Sequence, residues 1–283
     1  MLILPLDFYP KKRFGQSFLT DKNIIRKILA RASLSKDDVV LEIGPGQGIL
    51  TGELAGQVKK VIAVELDKKL YEHLGLSLRD FHNIDLINSD ILEFNLGGFL
   101  KKSRIKKKIK LVGNIPYSIT TPILEYVFEN IDLLESVYLM VQKEFALRLI
   151  AKPNTKDYSS ISCFTQFHTK PTLLFSVNRT CFKPQPKVDS SFIKLEPRPK
   201  GYWLKELKLK DRKLLFKIIR AAFNQRRKNI LNSLSSVLDK DSLSGILSKL
   251  NIDHNLRAEN LSIEDYTRIS NLCFDCIKDK NNV

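Results

Sequence analysis

The sequence predicts a doubly wound α/β sheet with an antiparallel edge, followed by a small C-terminal α-helical domain. Three observations support this. Short β-branched and apolar runs alternate with helical periodicities between Val39 and Leu195, the pattern of parallel strands joined by crossover helices. The first run breaks into a turn holding Gly44, Gly46 and Gly48, and a helical pattern resumes through Leu50 and Leu54. Beyond the loop signal Pro197-Arg198-Pro199 the pattern is helical from Lys205 onward. The expected domains are therefore residues 1–199 and 200–283.

The N-terminal segment Lys11-Lys12-Arg13-Phe14-Gly15-Gln16-Ser17-Phe18-Leu19 interleaves basic, aromatic and glycine residues, as nucleic-acid-binding arms do; a solvated tail is the alternative. The first helix follows, with Thr20 or Asp21 as its N-cap. Val39 to Ile43 reads as a buried strand. In the turn after it, glycines admit positive φ and let the backbone approach a ligand, and the next helix points its free N–H groups there. A second strand, Val61 to Val64, ends in Glu65, whose carboxylate suits the two hydroxyls of a ribose. This is a nucleoside-binding half-fold, with a purely structural turn as the alternative. The G-x-G-x-G spacing is not the dinucleotide fingerprint.

A helix over Tyr71 to Leu78 and a strand over Ile84 to Ile87 lead into Asn88-Ser89-Asp90-Ile91. Asp90 either accepts a hydrogen bond from an adenine amino group or caps a short helix. Lys101 to Lys110 holds seven basic residues in ten, Lys106, Lys107 and Lys108 among them. Because the run precedes the next strand, it is expected near the reaction centre and in contact with phosphate, unless it is a solvated face. That strand, Leu111 to Gly113, ends in Asn114-Ile115-Pro116-Tyr117. Pro116 has fixed φ and forces Ile115 into an extended conformation, giving a rigid elbow. On it the Asn114 amide and the Ile115 carbonyl can face one point, with the flat Tyr117 ring beside them.

Helices are expected over 121–129, 143–150 and 159–168, and strands over 137–141, 172–177 and 191–195, the late ones forming the antiparallel edge. His168 has no ligand-like neighbours and reads as structural. In the second domain, Leu214, Leu215, Ile218, Ile219, Ala222 and Phe223 form an apolar stripe from which Lys213, Lys217, Arg220 and Arg227 fall away. Residues 201–228 hold ten basic and two acidic side chains, against six and eight in 229–283. This concentration favours a docking surface that also takes in Arg226 and Lys228.

The 283 residues carry a net charge of +16, which points to a polyanionic partner, nucleic acid before membrane. No run approaches the length of a membrane span, and the opening Met1 to Leu6 is too short for a signal-peptide core. Cys163, Cys181, Cys273 and Cys276 show no disulfide framework, so a reducing cytoplasmic compartment is expected. Cys273-x-x-Cys276 reads as helix packing and not zinc, and no metal is expected elsewhere.

Glu42-x-Gly44-x-Gly46-x-Gly48 with an acidic strand end resembles the cofactor loop of class I S-adenosylmethionine-dependent methyltransferases, which have a Rossmann-like fold. Asn114-Ile115-Pro116-Tyr117 looks like the catalytic motif of amino-methylating adenine methyltransferases. Adding Phe14 to Leu19, Phe182-Lys183-Pro184-Gln185-Pro186-Lys187-Val188-Asp189-Ser190 and Ala222-Phe223-Asn224-Gln225-Arg226-Arg227-Lys228, nearly the whole chain resembles the rRNA adenine N6-dimethyltransferase family. The last stretch is similar to the bacterial small-subunit branch, not the macrolide-resistance branch.

The resemblance implies S-adenosyl-L-methionine as cofactor. As substrate it implies two adjacent adenines near the 3′ end of 16S rRNA, in the small ribosomal subunit or its precursor, and as active form a monomer. It implies Asn114 and the Ile115 carbonyl as acceptors for the two amino hydrogens, held on the Pro116 elbow. Tyr117 and Phe182 would sandwich the base, although Phe182 could instead be a core aromatic. Ser17, where the family usually has Asn, and Leu19 would lie at the methionine end. Gly44 and Gly46 would form the loop, Glu65 would take the ribose, and Leu66, Asp90 and Ile91 would surround the adenine. A competing reading is a non-catalytic assembly factor on the same fold, which would have no use for paired acceptors.

Overall fold

The computed structural model describes residues 15–206 and 208–281. The chain forms two compact units, each with its own core. One takes the chain up to Ala146 together with Thr172–Pro197, and the other takes Leu147–Pro171 and the chain from Arg198 on. A cut at 199 therefore falls near one junction, but 147–171 belongs with the C-terminal helices. The reason is packing: Tyr158, Cys163 and Phe167 are buried in one cluster with Trp203, Leu215, Ile219 and Phe223.

In the first unit, β1 (Phe18–Leu19) is followed by α1 (Lys22–Arg31), capped by Asp21, whose carboxylate accepts from the Asn23 and Ile24 N–H groups. Then come β2 (Val39–Ile43), α2 (Ile49–Ala55), β3 (Lys60–Glu65), α3 (Lys68–Ser77), β4 (Ile84–Asn88), α4 (Leu96–Lys102), β5 (Ile109–Asn114), α5 (Thr120–Glu129) and β6 (Leu134–Gln142). Half of α6 (Lys143–Ile150) and all of α7 (Ser160–His168) belong to the other unit, and β7 (Thr169–Val177), β8 (Phe182–Lys183) and β9 (Ser190–Pro197) finish the sheets.

The main sheet has the order β4-β3-β2-β5-β6-β9-β7. The strands from β4 to β6 are parallel, and β9 runs antiparallel to β6. All of β2 and all of β3 after Lys60 are buried, as expected of parallel strands covered on both faces. The order reverses between β2 and β5, which opens a crevice at their carboxyl ends. The main sheet and its flanking helices match the predicted class.

Three elements escaped the sequence reading: α4, and the antiparallel ribbon in which β1 pairs Leu19 with Phe182 of β8. Two- and seven-residue elements carry too little periodicity to announce themselves. β5 also begins earlier than expected. Lys110, the last residue of the basic run, is buried in the strand, 2.8 Å from Asp38 and donating to the Ser33 carbonyl. Burial pushes the Asp38 carboxyl up, but Lys110 and the Ser35 N–H outweigh it and hold it below the usual range.

The second unit adds α8 (Tyr202–Glu206), α9 (Arg212–Asn224), α10 (Ile230–Ser233), α11 (Lys240–Lys249) and α12 (Ile263–Asn281). The α9 stripe buries Leu215, Ile218, Ile219, Ala222 and Phe223, as its periodicity predicts. Cys273 of α12 lies in this core. His168 packs edge-on to Phe167; burial first, and then the Arg212 charge, push its pKa down to about 4.

Candidate active site

A cavity of about 750 Å³ opens at the carboxyl ends of β2, β3, β4 and β5, wholly within the first unit. Its floor is the turn after β2, where Gly44, Gly46 and Gly48 all have positive φ (65°, 57° and 77°). They are there for different reasons. A Cβ on Gly44 would meet nothing within 4 Å, so the backbone presents open space to the cavity. A Cβ on Gly46 would lie 2.8 Å from the Phe18 ring, and one on Gly48 would lie 2.6 Å from Leu74. Gly44 thus leaves room for a ligand, and the other two leave room for the protein itself.

Glu65 ends β3 at the cavity wall and is 6% exposed. Its Oε2 accepts from Gly46 N–H at 3.2 Å and its Oε1 from Asp67 N–H at 2.8 Å. Each oxygen keeps a lone pair for an outside donor. Burial, opposed by these two N–H groups, pushes the carboxyl up to about 6. Behind the glycine turn, Glu42 is 2% exposed and its Oε2 has no hydrogen-bond partner among the described residues. Burial above all, with repulsion from Glu65 adding to it, pushes Glu42 up to about 8. It is therefore mostly uncharged at neutral pH.

On the next strand end, Asp90 Oδ1 accepts from Leu92 N–H at 2.9 Å, closing a tight turn that leaves Oδ2 for a ligand. Asp90 therefore caps a turn and not a short helix, since the next helix, α4, is capped by Asn95. Leu66 and Leu92, both exposed, stand with Ile91 on this wall.

Across the crevice, Asn114 ends β5. Its Nδ2–H donates to the Ser17 main-chain carbonyl at 2.9 Å. A carbonyl can only accept, so this bond fixes which way the amide faces and leaves Oδ1 as the acceptor. Ile115 and Pro116 line the cavity beside it, Pro116 with φ −60° and ψ 132°. The Tyr117 ring is anchored by a short hydrogen bond between its hydroxyl and Ser190 of β9, and burial raises its pKa.

Two residues expected at the cavity lie elsewhere. Phe182 is 2% exposed, packed in the core with Phe175 and Phe192, and is not part of the wall. Leu19 packs in the same core. Alternation along β1 explains it: Phe18 faces the cavity, so Leu19 must face away. Ser17 does line the cavity, but its hydroxyl donates to the Pro184 carbonyl at 2.6 Å, tying the N-terminal ribbon to the proline-rich loop. The sequence reading missed the latch in which Gln16 Nε2 donates to Asp67 at 3.2 Å. Asp67 is legible as a helix cap, but a partner 51 residues away is not.

The basic residues divide. Lys106, Lys107 and Lys108 are exposed at the entry to β5, at the opposite end of that strand from Asn114. They are therefore not at the reaction centre as expected; a strand of this length separates the two by roughly 17 Å. Lys11, Lys12 and Arg13 lie outside the described residues. In the second unit, Lys213, Lys217, Arg220, Arg226, Arg227 and Lys228 are all exposed. Arg220 stacks over Phe164, and Arg226 donates to the Lys156 and Tyr158 carbonyls.

Against this geometry, comparison with known proteins is specific. The family described as Ribosomal RNA adenine dimethylase matches residues 8–275. A Ribosomal RNA small subunit methyltransferase A from Clostridium botulinum is 38% identical over 276 residues, 96% of each chain. A crystal structure of a dimethyladenosine transferase from Plasmodium falciparum superposes with a TM-score of 0.73 at 26% identity, covering 89% of this chain and 95% of that one. The 23S rRNA methyltransferase ErmE gives 0.66 at 27% identity, covering 91% and 99%. This chain belongs to the ribosomal RNA adenine dimethylase family.

Proposed function

We propose that this protein transfers methyl groups from S-adenosyl-L-methionine to the N6 amino groups of two adjacent adenines near the 3′ end of 16S rRNA. The observation that carries it is the Asn114 amide, locked by the Ser17 carbonyl so that its oxygen is an acceptor beside Ile115 and Tyr117.

The cavity fits the cofactor on its own terms. Gly44 leaves a backbone cradle that a Cβ would fill, and Glu65 keeps a free lone pair on each oxygen for the ribose hydroxyls. Asp90 Oδ2 and the apolar wall of Leu66 and Ile91 suit an adenine. When bound, the cofactor supplies an activated methyl on a sulfonium. The protein's own part is to prepare the nucleophile. An exocyclic adenine nitrogen is weakly nucleophilic because its lone pair is delocalised into the ring. Asn114 Oδ1 and the Ile115 carbonyl, accepting its two hydrogens, draw it toward tetrahedral geometry and aim the lone pair. The work is positioning and preorganised dipoles, with no strong base required.

The target base must leave its stack, which costs least for an unpaired loop adenine. Tyr117, pinned through its hydroxyl, offers one stacking face; the buried Phe182 does not offer the other. The exposed cations of α9 and the turn after it suit docking to rRNA phosphates.

The nearest alternative is a large-subunit target. The 38% identity to a small-subunit methyltransferase, over 96% of each chain, favours the small subunit. The test is methyl transfer from labelled cofactor onto undermethylated small and large ribosomal subunits, with the modified position mapped by primer extension. Label in the large subunit alone would overturn the assignment.

A further inference from the structure

We propose that the amino-terminal end of the main sheet carries a second polyanion site. It would grip the phosphate backbone of an rRNA segment distinct from the one that delivers the target adenine. This rests on the rRNA reading above and adds a site to it.

A concavity of about 440 Å³ lies where β2, β3 and β5 begin. Three segments distant in sequence build it: Lys59 and Lys60, the His82–Asn83 turn, and Ser103 to Lys107. Among the described residues no carboxylate lines it, and Val39 and Ile105 are its only apolar residues. Five cations converge there, and few are neutralised. Lys60 pairs with Asp85 at 2.7 Å. Lys107 donates to the Asp37 main-chain carbonyl, a neutral acceptor that leaves its charge in place. Lys59, Arg104 and Lys106 are exposed and form no ion pair among the described residues.

The placement is structural, not that of a loose charged tail. Arg104 holds a left-handed backbone (φ 56°) in the turn that ends α4, where its N–H bonds the Lys101 carbonyl and the Ile105 N–H bonds Leu100. A charged concavity with almost no apolar floor is a poor core for a protein interface, where lysine is depleted. It is a good match for phosphates, which ammonium and guanidinium groups hold as point charges or bidentate forks. The site shares no lining residue with the catalytic cavity, which lies a strand length away at the other end of the sheet. One nucleotide cannot occupy both. Two contacts on one substrate make the second effectively intramolecular and raise affinity without altering the chemistry.

The test compares Lys59→Gln/Arg104→Gln/Lys106→Gln with the charge-retaining Lys59→Arg/Arg104→Lys/Lys106→Arg, both in the full chain. Affinity for undermethylated small subunits is measured over a salt series, with methyl-transfer kinetics and S-adenosylhomocysteine titration alongside. The Gln variant is expected to lower the log–log salt slope by about two and to raise KM for the subunit, leaving kcat and S-adenosylhomocysteine affinity unchanged. The charge-retaining variant should keep the wild-type slope. An unchanged slope and KM in the Gln variant overturns the site, as does an equal loss in both variants. If the wild-type protein fails to methylate small subunits, the small-subunit reading itself falls; if it succeeds and the Gln variant matches it, only this site falls.

Discussion

At the scale of single residues, the proposed chemistry depends on groups whose orientation or charge is set by their immediate surroundings. Asn114 is oriented by one carbonyl, so its loss is expected to remove an acceptor without touching the cavity wall formed by Glu65 and Asp90. Asn114→Ala should raise the barrier by about 3 kcal/mol, the usual cost of one preorganised group. S-adenosylhomocysteine affinity, read by calorimetry, should stay close to wild type. Parallel collapse of both would assign Asn114 to cofactor binding instead. Glu65 makes a pH-dependent case. In the proposed role its carboxylate form is the acceptor, and burial raises its pKa to about 6. Cofactor affinity should therefore be flat above that pH and fall about tenfold per pH unit below it, as the competent fraction shrinks. In Glu65→Gln, affinity should be weaker throughout and its dependence near pH 6 should vanish. A wild-type profile in the Gln variant would place the titration elsewhere.

At the scale of elements, the glycine turn and the β1–β8 ribbon are one device. The ribbon seats Phe18 against Gly46, presents the Ser17 carbonyl to Asn114, and is tied to the proline-rich loop by the Ser17 hydroxyl. Alanine at the two glycines should therefore fail differently. Both substitutions incur a left-handed strain of about 1–2 kcal/mol. Gly44→Ala adds a methyl that meets only cavity, so it should fold with that modest loss and bind S-adenosylhomocysteine poorly. Gly46→Ala drives a methyl to 2.8 Å from the Phe18 ring and must shift the ribbon. It should lose more stability in urea unfolding than Gly44→Ala. Equal stability loss in the two would mean that the ribbon yields freely.

At the scale of the whole molecule, buried acidity and surface charge act on stability and on partners. Glu42 holds its proton more tightly when folded, because its pKa rises from 4.5 to about 8. Its stability contribution is complete below pH 4.5 and is lost as the pH climbs toward 8, by up to about 1.4 kcal/mol per pH unit. Glu42→Gln removes that dependence, so its Tm should gain on wild type progressively between pH 5 and 8. A constant offset would contradict a buried, neutral Glu42. The other unit carries surface charge of its own. Arg220 and Arg226 are partly engaged with Phe164 and with backbone carbonyls, whereas Lys213, Lys217, Arg227 and Lys228 are exposed without an ion pair among the described residues. Replacing these four with Gln should weaken small-subunit binding and flatten its salt slope by about three, at unchanged cofactor affinity. An unaffected slope would make α9 a solvated face.

The sequence alone determined the sheet class, the glycine turn, the acidic strand ends and the Asn114–Tyr117 elbow. Each is a local pattern: periodicity, a backbone that only glycine tolerates, a proline that removes an N–H. What depended on contacts between distant residues was decided only by the tertiary structure. The basic run divides into Lys110, buried against Asp38, and Lys106–Lys108 at the far end of β5, because a strand reverses neither its direction nor its length for charge. Phe182 and Leu19 face the core because a pairing across 163 residues sets their side of the ribbon. Segment 147–171 joins the helical unit because its apolar side chains find their partners there. Local chemistry is written along the chain, but which face a side chain presents depends on a partner that the fold must bring to it.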